Sequence, residues 1–463
     1  MLETEQQKVG HLLRRFGFGA SEAEVAYYGK GGLAGAVEKL LDYESVDEGF
    51  SVDPNSLANA KNKLKIEAVQ EWWLMRMVAT RRPLQEKMTL FWHNHFATST
   101  DKVVSPYMML AQNQILRAGA TGKFADLLLS VSKDPAMLLW LDNQFNVNGH
   151  PNENFARELM ELFTLGIGHY TEHDVQESAR AFTGWGFGGK GKTPLKNQKN
   201  AKNTVFLDRD DLHDHGTKEF LGNKGDFDGD DMIGILCSNP RTAEFITSKL
   251  WTWFAYPNPD ATLVKRLADP FFRDGLNIKN LLRSIMHSSE FYSQTAERAI
   301  YKNPIDFAVV TARQLGFGAQ ALTDDNFKTM VRLATALRIS TKGMGMDVLW
   351  PPDVSGWKTG QAWVSTATVV ERIRWAQVLF DRAEVAVKKR QFTLGVDATN
   401  LFAQDPTPEG AATRLAAIFD ADLPKDRHIR LVEAAKSAMA GAADDVAAAV
   451  SRLIFAAPEF QFC

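Results

Sequence analysis

The chain has 463 residues, 45% hydrophobic and 24% charged, with a net charge of −3 and a pI near 6.4. These are the values of an ordinary globular chain with a large core or roughly two to three subdomains, and they give no electrostatic case for nucleic acid or an anionic membrane. Two cysteines, Cys237 and Cys463, exclude a disulfide framework or a cysteine-built metal site.

The start, MLETEQQKVGHLLRRFGFG, lacks the basic, apolar and small-residue regions of a signal peptide. No apolar run approaches the roughly 18–20 residues that span a bilayer. The expectation is a cytoplasmic protein, or an exported one if a signal has been removed. Apolar residues recur at three- and four-residue spacing and predict helices at 4–15, 21–28, 33–42, 61–80, 83–95, 105–118, 124–132, 153–165 and 172–184. The same period continues at 229–237, 240–254, 261–273, 278–287, 303–315, 325–337, 365–383, 408–419, 426–440 and 443–456. Phe16–Gly19 reads as a helix-ending turn, and 43–60 as a polar loop. Ser21 with Glu24, and Thr171 with Asp174, have capping-box spacing. Pro83, Pro240 and Pro304 sit where first-turn prolines belong.

The segment 84–99 holds His93 and His95. Two residues apart on a helix, they point to different faces. His93 follows Glu86 and Thr89 on a polar stripe and is the candidate site residue; His95 follows Met88, Phe91 and Trp92 and reads as a core or cap residue. Asp134-Pro135 marks a helix start, after which Asp142, Asn143 and Asn146 either build turns through their own backbone or bind a ligand.

Residues 151–185, PNENFARELMELFTLGIGHYTEHDVQESARAFTGW, carry the densest polar block. At about 100° per residue, Asn154, Arg157, Glu158, Glu161 and Thr164 share one arc of 153–165. The plainer reading is a solvated face with an Arg157–Glu161 pair. The sharper one is a cleft in which Glu158 and Glu161 raise each other's pKa for acid–base work, or ligate a cation. On 172–184, Asp174 reads as a capping residue and Glu177–Arg180 as a surface pair, or both belong to the cleft.

Residues 185–228 are Gly- and Lys-rich, with β-like runs at Thr204–Leu207 and Lys218–Leu221, and read as a small hairpin or flap that starts at Trp185. His213 and His215 alternate on this segment and would share a face on an extended strand, a workable pair for zinc or iron. GDFDGDD (225–231) lacks the spacing of a calcium loop, and Asp230 or Asp231 reads as the next N-cap. Residues 339–364 hold Trp350, Trp357 and Trp363 among Gly and Pro without helical period, a long loop of the kind that carries function. No P-loop, dinucleotide fingerprint, G-x-S-x-G elbow or H-E-x-x-H motif occurs.

Several blocks together resemble the bacterial family called domain of unknown function 1800. They are HLLRRFGFGAS (11–21), RPLQEKMTLFWHNHFATS (82–99), SKDPAMLLWLDN (132–143), NENFARELMELFTLGIGHYTEHDV (152–175), ARAFTGW (179–185), HDHGTKEFLG (213–222), LWPPDVSGW (349–357) and APEFQF (457–462). The resemblance implies no established reaction. It implies an exported protein encoded beside a sulfatase-like or phosphatase-like partner, and this chain departs from such members in showing no export signal.

The expected fold is all-α. A main helical domain over 1–338 contains the flap at about 185–228, the Trp loop occupies 339–364, and 365–463 form a C-terminal helical subdomain. The leading functional expectation is a metal-assisted hydrolase with its cleft between helices 83–95, 153–165 and 172–184. Glu158, Glu161 and His93 would be catalytic; Glu158, Glu161, His93 and His213 would ligate a divalent metal ion. Arg157, Arg180, Asn154, Asp142, Asn143, Lys218 and Trp185 would bind substrate. A non-catalytic scaffold or partner-binding protein with a buried polar network is the alternative, and a carbohydrate-binding or carbohydrate-cleaving protein a third. A cavity touching Glu158, His93 and the flap would favour the enzyme; a buried Arg157–Glu161 pair would favour the scaffold.

Overall fold

A computed structural model of the chain describes residues 2–59, 61, 63–189, 202–318, 324–380, 386–387, 390–391, 394 and 396–463. The periodic segments form helices, as their apolar spacing requires. They begin with α1 (Glu5–Phe16), α2 (Glu22–Tyr28), α3 (Gly32–Leu41), α4 (Ile66–Ala79), α5 (Pro83–His95), α6 (Pro106–Ala118), α7 (Phe124–Ser132) and α8 (Pro135–Trp140). The polar block supplies α9 (Glu153–Glu158) and α10 (Glu172–Ala181). Then come α11 (Gly229–Cys237), α12 (Pro240–Phe254), α13 (Ala261–Arg273), α14 (Ile278–His287), α15 (Pro304–Gln314) and α16 (Asp324–Gly343). The last are α17 (Thr366–Phe380), α18 (Pro408–Ile418), α19 (Lys425–Ala438) and α20 (Ala443–Ala456).

The fold is all-α with small hairpins. β1 (Trp185–Gly189) pairs antiparallel with β2 (Thr204–Asp208), and β3 (Lys218–Phe220) with β4 (Asn223–Gly225). Part of the flap, 190–201, lies outside the described residues. Both capping boxes expected from spacing are present, at Ser21 and at Thr171, and Pro83, Pro240 and Pro304 occupy first turns. Among the boundaries that differ, α4 begins at Ile66 and not at 61. The cap of α11 is Asp228, because its Oδ1 accepts from Asp231 N (3.0 Å) while Asp231 Oδ2 accepts from Asp228 N (3.1 Å), a reciprocal capping box. α16 runs on through Gly343, beyond its apolar period, because Ser340 and Thr341 are buried there beside Met344. No helix among the described residues is long and apolar enough to cross a membrane.

Two apolar cores organise the helices. One joins α4, α15 and α16 with α17–α20 and with Trp357 and Trp363. The other joins α1, α3, α7, α8 and α10–α14. α5 lies at the seam, with Leu90 in the first core and Leu84, Met88, Phe91 and Trp92 in the second. It is therefore buried on nearly every side, and its polar stripe has to be satisfied from within.

α8 shows what such burial does to a cap. Asp134 is 1% exposed. Its Oδ2 accepts from Met137 N (3.2 Å) and Gln112 Nε2 (2.9 Å), and its Oδ1 has no partner. Burial pushes its carboxyl up to about 7, against those hydrogen bonds. The fold thus holds a proton that the unfolded chain releases near pH ~4. This group's contribution favours folding below that pH and falls away as pH rises to about 7. Asp134→Asn is expected to gain stability relative to the parent more at pH 7.5 than at pH 4.5 in urea unfolding. An equal difference at both pH values would contradict the assignment.

Candidate functional site

The polar helix read at 153–165 changes register halfway. α9 ends at Glu158, and Leu159–Thr164 continue as a π-helix. Leu165 N reaches Met160 O at 2.8 Å, and the Thr164 hydroxyl donates to Leu159 O at 2.7 Å, both five residues back. A π turn is wider than an α turn, so side chains after Glu158 leave the positions of an α wheel. Arg157 accordingly does not pair with Glu161. It donates to Glu153 (3.1 Å) and, through both terminal nitrogens, to Glu172 of α10 (2.8 and 2.7 Å). Glu161 accepts from the Tyr170 hydroxyl at 2.7 Å. Glu158 is half-buried; burial first, then the charge of Glu161, holds its carboxyl above the usual range.

The carbonyls at the end of this segment lack amide partners and draw side chains from other helices. His95 Nε2 donates to Phe163 O (3.1 Å), and Arg241 Nε to Leu165 O (2.9 Å).

The polar stripe of α10 faces the flap. Asp174 accepts from Leu221 N (2.8 Å), and Glu177 from Glu219 N (2.9 Å). Arg180 grips Asp214 with two nitrogens (2.8 and 3.2 Å), donates to Thr217 O (3.2 Å) and pairs with Glu177. Residues three apart on one helix face thus tether the β3–β4 hairpin and the loop that carries His213 and His215. Gly184, with φ +85°, lets this loop close: a Cβ there would lie 2.5 Å from Arg209 O.

That loop carries a donor cluster. The coordinating atoms of His213, His215 and Asp226 lie within 4.8 Å of one another, the one such trio among the described residues. His213 Nδ1 donates to Thr183 O (3.0 Å), which leaves Nε2 with its lone pair. The two imidazole rings meet edge to face, 4.9 Å between centroids. Asp226 accepts from Nζ of the fully buried Lys218 at 3.1 Å, and that bond above all holds its carboxyl below the usual range. His213 is half-buried, and His215 and Asp226 are exposed, so the cluster is open to solvent.

The remaining sequence candidates lie elsewhere. His93 is buried in the core between Trp73 and Trp357, at ring distances of 5.3 and 5.4 Å, and its Nε2 accepts from Leu349 N at 3.1 Å. Burial pushes it down to about 3, so it is a neutral acceptor. Asn143 is buried and donates to Phe182 O (3.2 Å) and Trp185 O (3.0 Å). Asn154 donates to Leu141 O (3.2 Å) from an exposed position. Asp142 has φ +62° and pairs with Lys102 at 2.7 Å. Trp185 is buried edge-on against Phe182 and Phe206, with Lys133 over its ring at 5.1 Å. The structure therefore gathers His213, Lys218 and Arg180 around one loop. It leaves Glu158, at the end of α9, beside Glu161 of the π-helix and sets His93 apart from both. Asp226 was concealed in the sequence by its failure to fit a calcium loop.

A cavity of about 520 Å³ opens between the end of α5, α12, residues 299–306 and the Trp loop. His95, Lys249, Trp253, Trp357 and Trp363 line it; His93 and Glu158 do not. Lys249 gave no signal in the sequence beyond its place between Phe245 and Trp253, one helical turn from each.

The family described as "Protein of unknown function (DUF1800)" matches residues 11–462. No curated protein and no solved structure matches the chain.

Proposed function

We propose that this chain, which belongs to the DUF1800 family, is a metal-assisted hydrolase whose divalent ion is held by His213, His215 and Asp226. The observation that carries the reading is the convergence of two imidazoles and one carboxylate within 4.8 Å. Two histidines with a carboxylate suit zinc or iron(II), and three protein ligands leave room for water and substrate. A zinc ion held by these residues would supply Lewis-acid activation of water at neutral pH. The protein's own residues set the stage. Thr183 O fixes the tautomer of His213. Lys218 keeps Asp226 ionised and oriented. Arg180, through Asp214, holds the backbone between the two histidines.

Purified protein loaded with zinc, iron(II) or manganese and then desalted is expected to retain close to one equivalent by inductively coupled plasma mass spectrometry. The His215→Ala/Asp226→Asn double variant is expected to retain almost none while keeping its far-ultraviolet circular dichroism. Hydrolysis of p-nitrophenyl esters or phosphates should follow metal content. Failure of the parent protein to retain any of the three metals sinks the reading.

A second reading, a non-catalytic partner-binding protein, is favoured by one observation. Asp174, Glu177 and Arg180 are all engaged within the chain, which is how a network that only pins helices and hairpins together looks. Retained metal without hydrolysis would favour it.

A further inference from the structure

We infer that the cavity between α5, α12 and the Trp loop is a binding site for a small organic anion: a flat apolar body carrying one carboxylate, sulfonate or phosphate group, with Lys249 as its counter-ion. This inference is independent of the metal centre, none of whose ligands lines the cavity.

About 520 Å³ is the size of a small-molecule site, and Phe91, Trp253, Tyr301, Trp357 and Trp363 supply aromatic walls. Trp357 and Trp363 are only 6% and 5% exposed, and Trp253 packs edge-on against Phe91 at 5.6 Å. Such walls take a flat apolar body.

The roof is fixed in place. Asn94 Oδ1 accepts from Trp357 N at 2.8 Å. Gly356, at φ +82°, brings the loop so close that a Cβ would lie 2.5 Å from Asn94 O.

Lys249 is half-buried, and among the described residues no carboxylate lies within ion-pair distance of it. Among the described residues its polar contact is a long bond to Leu162 O (3.4 Å), and its ammonium sits 4.9 Å from the Phe245 ring centroid. Burial alone moves its pKa, down to about 8, so it remains a cation at neutral pH. The one lining carboxylate, Asp306, is already engaged by Lys87 and by Asn303 Nδ2 (2.7 Å). The exposed Lys358 adds a second positive charge. A half-buried ammonium without a counter-ion, among aromatic walls, is completed by an anion that brings its own apolar surface.

The test uses 8-anilinonaphthalene-1-sulfonate and its uncharged analogue N-phenyl-1-naphthylamine on the full chain. The sulfonate is expected to saturate one site, with quenching of tryptophan fluorescence. Lys249→Met should weaken it at least tenfold and change the neutral analogue less than twofold, and Lys249→Arg should restore it. On the unmodified protein, bound sulfonate should slow reductive methylation of Lys249, read by peptide mass spectrometry. That second measurement decides the matter even where the variants fail to fold. No saturable site, equal loss of both probes in Lys249→Met, or no protection of Lys249 would each overturn the inference.

Discussion

Replacing Glu86 by alanine is expected to lower the unfolding free energy by about 3–5 kcal/mol, the usual cost of removing one partner from a buried ion pair. Glu86 is fully buried on α5. Its carboxylate accepts from Trp73 Nε1 (2.9 Å), Arg76 Nε (2.8 Å) and Arg117 NH2 (3.0 Å), so α4, α5 and α6 converge on one anion. Both guanidiniums lie against the Trp72 ring, at 5.5 and 5.3 Å from its centroid. Truncation would leave Arg117, 3% exposed, with its charge uncompensated in a dry seam. Burial works to raise the Glu86 carboxyl, but Arg117, Arg76 and Trp73 outweigh it and hold it below the usual range. Its contribution is therefore present above the ordinary carboxyl range and lost as pH falls through the lowered value. Urea unfolding at neutral pH should show the loss in Glu86→Ala, and the gap from the parent should narrow in acid. A loss below about 1 kcal/mol would mean that the arginines find other partners, and the network would not hold the seam as described.

The same residue explains what the sequence could and could not reveal. Glu86, Thr89 and His93 form a polar stripe on a helical wheel, and a polar stripe ordinarily means water or a site. Here it faces α4, because α5 is enclosed by two cores that come from distant parts of the chain. Helix existence was legible because it depends on local period and on caps such as Thr171–Asp174, which are satisfied within a few residues. What each stripe faces depends on packing between segments hundreds of positions apart, and one sequence carries no signal for that.

The π-helix is a second case. Leu159–Thr164 reads as α by composition, and only the fold puts His95 and Arg241 where they can hold its end carbonyls. The Arg157–Glu161 pair expected on an α wheel is absent for that reason. The donor cluster was half legible. The His213/His215 alternation was visible, but Asp226 joins them only because the β3–β4 hairpin folds back on the loop.

Replacing Arg180 by leucine is expected to weaken metal binding by roughly 10–100-fold while the helical fold persists, the range seen when a residue that orients ligands is lost. Arg180 touches none of the three ligands in the contacts described. Its two bonds to Asp214 and one to Thr217 O hold the backbone on either side of His215, and the Arg180 bond above all keeps the Asp214 carboxyl below the usual range. Lysine at this position cannot supply the two-pronged geometry, so Arg180→Lys should not restore affinity. Arg157→Leu is the matched control. It removes a guanidinium from the neighbouring helix whose partners, Glu153 and Glu172, do not reach the His loop. Competition against a chromophoric chelator, with circular dichroism on the same samples, separates the outcomes. Weakening confined to Arg180 places the tether upstream of the metal. Equal weakening in both variants would point to a general loosening of α9 and α10. No weakening in either would show that Thr183 O and Lys218 suffice to hold His213 and Asp226 in place, and the role argued for Arg180 would fall.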